Sequence, residues 1–81
     1  MTGANTILII DDEVQIRRLL EITLSANDYK VSEASTGREG ISLAASLQPI
    51  LIILDLGLPD TKRIGYGFWM GLGSSMALLA W

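Results

Sequence analysis

The chain contains no cysteine and no histidine. The first absence excludes a disulfide framework and any thiolate metal site. The second excludes imidazole-based zinc sites, Ser-His-Asp triads and a histidine general base. Proline is scarce, with Pro49 and Pro59 the only two, and four of the five aromatic residues lie after residue 65. Acidic residues are absent from the last stretch: all nine lie at or before Asp60, against four bases there, while residues 61–81 carry only Lys62 and Arg63. A net charge of −3 is the wrong sign for gripping phosphate backbones, so this segment is not expected to bind nucleic acid directly. The N-terminus has no basic region and only a short apolar run, so a signal peptide is not expected and a cytoplasmic location is the default. At 81 residues and 49% hydrophobic composition the chain has room for one small domain and too much apolar content for a disordered tail.

What is present begins with Ile7–Ile10, a β-branched run apolar on both faces, as in a central strand of a parallel sheet. Asp11 and Asp12 end it. From Val14 the pattern turns helical, with Ile16, Leu19, Leu20, Thr23 and Leu24 at spacings of three and four, and Ala26-Asn27-Asp28 as the stop. Tyr29–Ala34 alternates like a half-buried strand. Ser35-Thr36-Gly37 is a turn with a cap, and Glu39–Leu47 a second helix burying Ile41, Leu43, Ala44 and Leu47. Gln48-Pro49 stops it. Ile50–Leu54 is a second fully apolar strand, ended by Asp55, and Leu56–Asp60 reads as loop.

The order is β-α-β-α-β, with parallel strands and right-handed crossovers. Ligands of open parallel sheets bind outside the carboxyl ends of the strands, where Asp11, Asp12 and Asp55 would converge. Each aspartate alone also reads as a turn or cap residue. Three together repel one another, and a hard cation relieves that repulsion. With neither histidine nor cysteine, the site suits Mg²⁺ better than zinc. The same arrangement suits an aspartate nucleophile that forms an acyl phosphate.

Residues 5–60 resemble the receiver domain of two-component response regulators. The match lies in Ile-Leu-Ile-Ile-Asp11-Asp12-Glu13, in Gln-Ile-Arg-Arg-Leu-Leu, and in Leu-Ile-Ile-Leu-Asp55-Leu-Gly-Leu-Pro-Asp60. The last run is most similar to the winged-helix (OmpR-like) regulators, in particular those of potassium-transport genes. The resemblance implies the N-terminal β-α-β-α-β part of a flavodoxin-like, doubly wound parallel sheet (CheY-like), here incomplete. It implies Asp55 as phospho-acceptor and a sensor histidine kinase as phosphodonor. It also implies Mg²⁺ held by Asp12, by Asp11 through a water, by Asp55 and by the backbone carbonyl of Gly57. Pro59 would shape the loop after the acceptor, and the first helix around Ile16, Leu19 and Leu20 would dock the kinase. No residue is expected to be an enzyme's catalytic group.

Two departures stand out. Ile50 replaces an aspartate usual at that point, a change tolerable at a strand entrance. Residues 61–81 match no part of the family's pattern, which continues with a fourth strand ending in Ser or Thr and a fifth ending in Lys. The expected reading is therefore a partial receiver over residues 1–60 and an unrelated Gly- and aromatic-rich tail over 61–81, from a frameshifted or prematurely ended reading frame. Impaired phosphate acceptance is the corollary, and Ile50–Leu54 is expected to be an open, aggregation-prone edge. The uncharged run 64–81 is near the lower length limit for a membrane span, but its glycines and serines lower its hydrophobicity and argue against that role. Alternatives are a kinase-sequestering or inactive fragment, or a small aspartate-nucleophile phosphatase. The phosphatase reading is weak, because the second acid such enzymes carry two residues after the nucleophile is Gly57 here.

Overall fold

The computed structural model describes residues 5–72 and 77–80. The elements follow in the order β1 (Thr6–Ile10), α1 (Val14–Ser25), β2 (Lys30–Ala34), α2 (Gly37–Leu47), β3 (Leu51–Leu54), α3 (Pro59–Ile64), α4 (Tyr66–Leu72) and β4 (Ala77–Ala80). The strands form one parallel sheet in the order β2-β1-β3-β4. β1 and β3 lie inside it, which is why both are apolar on both faces.

Alternate residues of these strands feed two cores. Leu8, Ile10, Ile52 and Leu54 point to one face, where Ala44 of α2, Leu58 and Trp69 of α4 close over them. Ile7, Ile9 and Ile53 point to the other, where Leu20 and Leu24 of α1 pack against them. Leu20 and Leu24 are one helical turn apart and therefore share the sheet-facing side. Leu19 is 63% exposed, because the helix rotates by about 100° per residue and carries it away from the sheet.

α2 is fixed at both ends by its sequence. The Thr36 hydroxyl accepts the Glu39 amide at 3.1 Å, and the Glu39 carboxylate accepts the Ser35 amide at 2.9 Å, a reciprocal cap. At the other end Gln48 takes a left-handed conformation, φ 48°, just before Pro49. Ile50 is exposed at the entrance to β3, where its amide bonds the Thr6 carbonyl at 2.9 Å, so the missing aspartate costs the strand nothing visible.

The structure differs from the sequence expectation after Asp60. The break in composition is not a break in the fold: position 60 falls inside α3, Thr61 is fully buried, and Trp69 is among the largest buried side chains. β4 pairs with β3 in parallel from Leu51 opposite Ala77 to Leu54 opposite Ala80, so the expected open edge of β3 is covered. The described residues of the marginal span at 64–81 fall into the end of α3, helix α4 and strand β4. No helix among the described residues is long and apolar enough to cross a membrane. The signals for α3 were present: Pro59 at its first position, Asp60 in its first turn, Lys62 and Arg63 in its last, and Gly65 after it with φ 101°.

The tightest fit between layers is at Gly40. A Cβ built there would overlap the Ile10 side chain, reaching 2.7 Å from its Cγ1. Gly40→Ala is therefore expected to destabilise the chain by about 1–3 kcal/mol, the usual cost of overpacking, read as a lower urea midpoint with an unchanged slope.

Candidate functional site

The site forms where β1 and β3 end. Ile10 lies opposite Leu54 in the ladder, so Asp11 and Asp55 leave the sheet side by side. Their backbones stay in it: the Asp11 amide bonds Ala34 O at 3.0 Å and the Asp55 amide bonds Ile10 O at 2.9 Å. Asp12 follows at the turn into α1. One carboxylate oxygen from each of Asp11, Asp12 and Asp55 lies within 4.8 Å of the other two. Asp11 is buried, Asp55 half-buried and Asp12 exposed. The structure thus brings together the three carboxylates that the sequence places at the strand ends.

Each carboxylate is held differently. Asp11 Oδ1 accepts the Glu13 amide at 2.8 Å, which bends the chain into α1. Asp55 Oδ1 accepts the Gly57 amide at 2.8 Å, a local turn that orients the carboxylate. A Cβ on Gly57 would lie 3.1 Å from that oxygen, so the close turn favours glycine. Thr61 Oγ1, fully buried, donates to the Asp55 carbonyl at 3.4 Å.

Two supporting residues left no trace in the sequence pattern. Arg17 donates from Nη1 to the Asp11 carbonyl at 2.7 Å and from Nε to Glu33 at 2.9 Å, tying β1, α1 and β2 together at the site. Asp60 accepts the Gly37 amide on Oδ1 and the Arg38 amide on Oδ2, both at 2.9 Å. Burial pushes the Asp60 carboxyl up, but the amides of Arg38, Gly37 and Asp60 itself, with the Arg63 cation, outweigh it and hold the group below the ordinary carboxylate range. Among the docking residues, Leu19 is exposed and Ile16 half-buried on α1. Leu20 instead packs against the β1–β3 core, and Val14 and Ile22 join the exposed apolar surface of the helix.

The donor set fits Mg²⁺. All three side chains offer hard oxygens within 4.8 Å of one another, and the chain has neither histidine nor cysteine to add a softer donor.

A parallel α/β sheet with a carboxylate cluster at the carboxyl ends of two neighbouring strands is a setting for a divalent cation, and comparison with known proteins supplies the family. The family model of the response regulator receiver domain matches residues 7–70, so the chain belongs to the receiver domains of response regulators, the two-component signalling proteins. That match runs ten residues beyond Asp60, where the resemblance was expected to stop. The transcriptional regulatory protein KdpE of Mycobacterium tuberculosis is 50% identical over 58 residues, 72% of this chain and 26% of that protein. The KDP operon transcriptional regulatory protein KdpE of Escherichia coli is 50% identical over 60 residues, 74% of this chain and 27% of that protein. SrrA of Staphylococcus aureus is 46% identical over 61 residues, 75% of this chain and 25% of that protein. The chain thus spans about a quarter of the length of the curated relatives it matches. The solved structure of the chemotaxis response regulator CheY4 of Vibrio cholerae superposes with a TM-score of 0.77 at 23% identity, over 99% of this chain and 68% of that one, and carries the same fold. The flavodoxin-like receiver fold, present in part, is therefore as the sequence led us to expect. Receiver domains bind Mg²⁺ at an acidic pocket and are phosphorylated by sensor histidine kinases.

The depressed Asp60 carboxyl gives a signed pH prediction. Its folded pKa lies below its unfolded one, so its contribution to stability is complete above the unfolded value and is lost as pH falls through the folded value. The urea midpoints of the parent and Asp60→Asn should differ by a constant amount near neutral pH and converge as the pH drops below about 4.

Proposed function

We propose that Asp55 accepts a phosphoryl group from the phosphohistidine of a sensor histidine kinase, in a regulator that controls transcription. The observation that carries this reading is the convergence of the Asp11, Asp12 and Asp55 carboxylates at the ends of β1 and β3. Asp55 Oδ1 is engaged by the Gly57 amide, which leaves Oδ2 to form the bond to phosphorus. The phosphorus–nitrogen bond of the donor breaks, and its electron pair returns to the imidazole nitrogen, which takes up a proton. Asp11, Asp12, Asp55 and the Gly57 carbonyl are the residues that would hold Mg²⁺. The cation supplies positive charge beside the phosphoryl oxygens and the crowded carboxylates. The chain acts in this reading as a phospho-accepting module, not as an enzyme with its own turnover.

The identity to two KdpE proteins supports a finer reading, in which the kinase is KdpD-like and the controlled genes serve potassium transport. The exposed Leu19 and half-buried Ile16 on α1 are the residues of the proposed docking set that remain available to a kinase. Phosphate acceptance is slow in this reading. β4 ends at Ala80, opposite Leu54, and neither Ala80 nor Trp81 has the hydroxyl that the family resemblance implies near that point. Loss of one preorganised donor to a developing oxyanion costs about 10²–10³ in rate elsewhere.

Two measurements test this. Mg²⁺ titration should show binding in the parent that Asp12→Ala weakens; equal binding in both would remove Asp12 from the site. Radiolabelled phosphotransfer from a purified kinase should label the chain at least about 10²-fold more slowly than a full-length regulator, with all label lost in Asp55→Asn. Label retained in Asp55→Asn would refute the acceptor assignment, and labelling within tenfold of the regulator would refute the slow rate.

A further inference from the structure

We infer that Asp60 is a positioning residue for the carboxylate site, acting by tying the loop after β3 to the N-terminus of α2. The inference rests on reading Asp11, Asp12 and Asp55 as a Mg²⁺ site. Leu58 anchors the loop from Asp55 to Asp60 in the core by apolar packing, but its polar ties to other elements are few. The amides of Gly57 and Leu58 both bond back to Asp55, at its Oδ1 and its carbonyl, so neither reaches a different element. Asp60 does reach one. Its two oxygens take the Gly37 and Arg38 amides of α2, more than 20 residues away in sequence. Those amides belong to the first turn of a helix and have no partner within it, so a carboxylate is the natural acceptor. The next residue, Thr61, returns a bond to the Asp55 carbonyl. The Asp60–Thr61 pair thus connects the acceptor loop to α2 on one side and to the backbone of Asp55 on the other.

The surroundings are shaped for this tie. A Cβ at Gly37 would lie 3.0 Å from Asp60 Oδ1 and 3.3 Å from Trp69 Cζ2. Glycine at position 37 lets the carboxylate approach, and the buried Trp69 ring backs the same spot. Among the described residues, Asp60 makes no hydrogen bond to the carboxylate cluster, so its influence passes through the loop.

A loop held this way gives a site of fixed shape. Mg²⁺ demands near-ideal octahedral geometry, whereas Ca²⁺ accepts irregular and expanded coordination. Loosening the loop should therefore weaken Mg²⁺ more than Ca²⁺. Losing a nearby negative charge, or part of the folded population, should weaken both alike. Cation selectivity thus separates positioning from a structural or purely electrostatic role.

The experiment is calorimetric titration of the 81-residue chain with MgCl₂ and, separately, CaCl₂. In Asp60→Asn the Mg²⁺ dissociation constant should rise about tenfold while that for Ca²⁺ changes much less. Gly37→Ala, which keeps the carboxylate and its charge but crowds it, should lower the Mg²⁺ preference in the same direction. Glu39→Gln weakens a different bond at the same helix end, to the Ser35 amide, and should leave both constants unchanged. Equal weakening of both cations in Asp60→Asn, an unchanged Mg²⁺ constant, or the same shift in Glu39→Gln would overturn the inference. An Asp12→Ala arm separates the two proposals: parent binding that is indifferent to Asp12 removes the Mg²⁺ site itself, whereas Asp12-dependent binding that Asp60→Asn leaves intact removes only the role of Asp60.

Discussion

The parallel pairing of β1 with β3 is the constraint on which the rest depends. Because Ile10 faces Leu54 across the ladder, the next residue on each strand is an aspartate emerging at the same edge. Like charges about 4–5 Å apart cost about 1 kcal/mol in water and several times that where water is partly excluded. The sheet bears this cost with its apolar interior. Leu8, Ile9, Ile10, Ile52 and Leu54 are all fully buried, and each such side chain contributes about 1.5–3 kcal/mol of transfer free energy. Slipping the register by one residue would relieve the charges but turn the side chains of the slipped strand to the opposite face. The core therefore holds the carboxylates in a proximity they would not choose, and a divalent cation is the ligand that gains from it.

The chain as far as Asp55 was legible because its elements are strongly patterned. Two apolar runs ended by aspartate, a helix between them and Pro49 after another helix leave few alternatives, and the three site carboxylates follow from strand ends alone. The supporting residues were not legible. Arg17 and Asp60 act through bonds to backbone atoms of distant elements, and such bonds impose no periodicity. Leu20, grouped with Ile16 and Leu19 for docking, packs against the sheet instead, because a spacing of three or four does not say which side of the helix meets the sheet.

The stretch from Pro59 onward was less legible for a different reason. Its glycines and aromatics carry neither the alternation of a strand nor the stripe of a helix, and Pro59 suggested loop when it opens α3. What decides the conformation there is tertiary. Trp69 fills the space over Ile52 and Leu54, and β4 satisfies backbone groups that β3 would otherwise present to solvent. Among the described residues the Trp69 indole nitrogen has no hydrogen-bond partner despite its burial, so the ring is held by apolar packing against a polar penalty of about 1–3 kcal/mol.

The two faces of the sheet are not covered equally, and the site straddles the difference. On the face closed by α2 and α4, buried residues come from both helices and strands; on the other, α1 contributes no fully buried residue and leaves Val14, Leu19 and Ile22 in solvent. Helices with few buried contacts are the first to open in local unfolding. Asp11 is anchored through Arg17 to this loosely held helix, whereas Asp55 is anchored through Thr61 to the well-packed side. The carboxylate cluster is thus a junction between a rigid half and a yielding half of the domain. Amide protons of α1 should exchange before those of α2, and the Asp11 side of the cluster is the one whose geometry fluctuates with them.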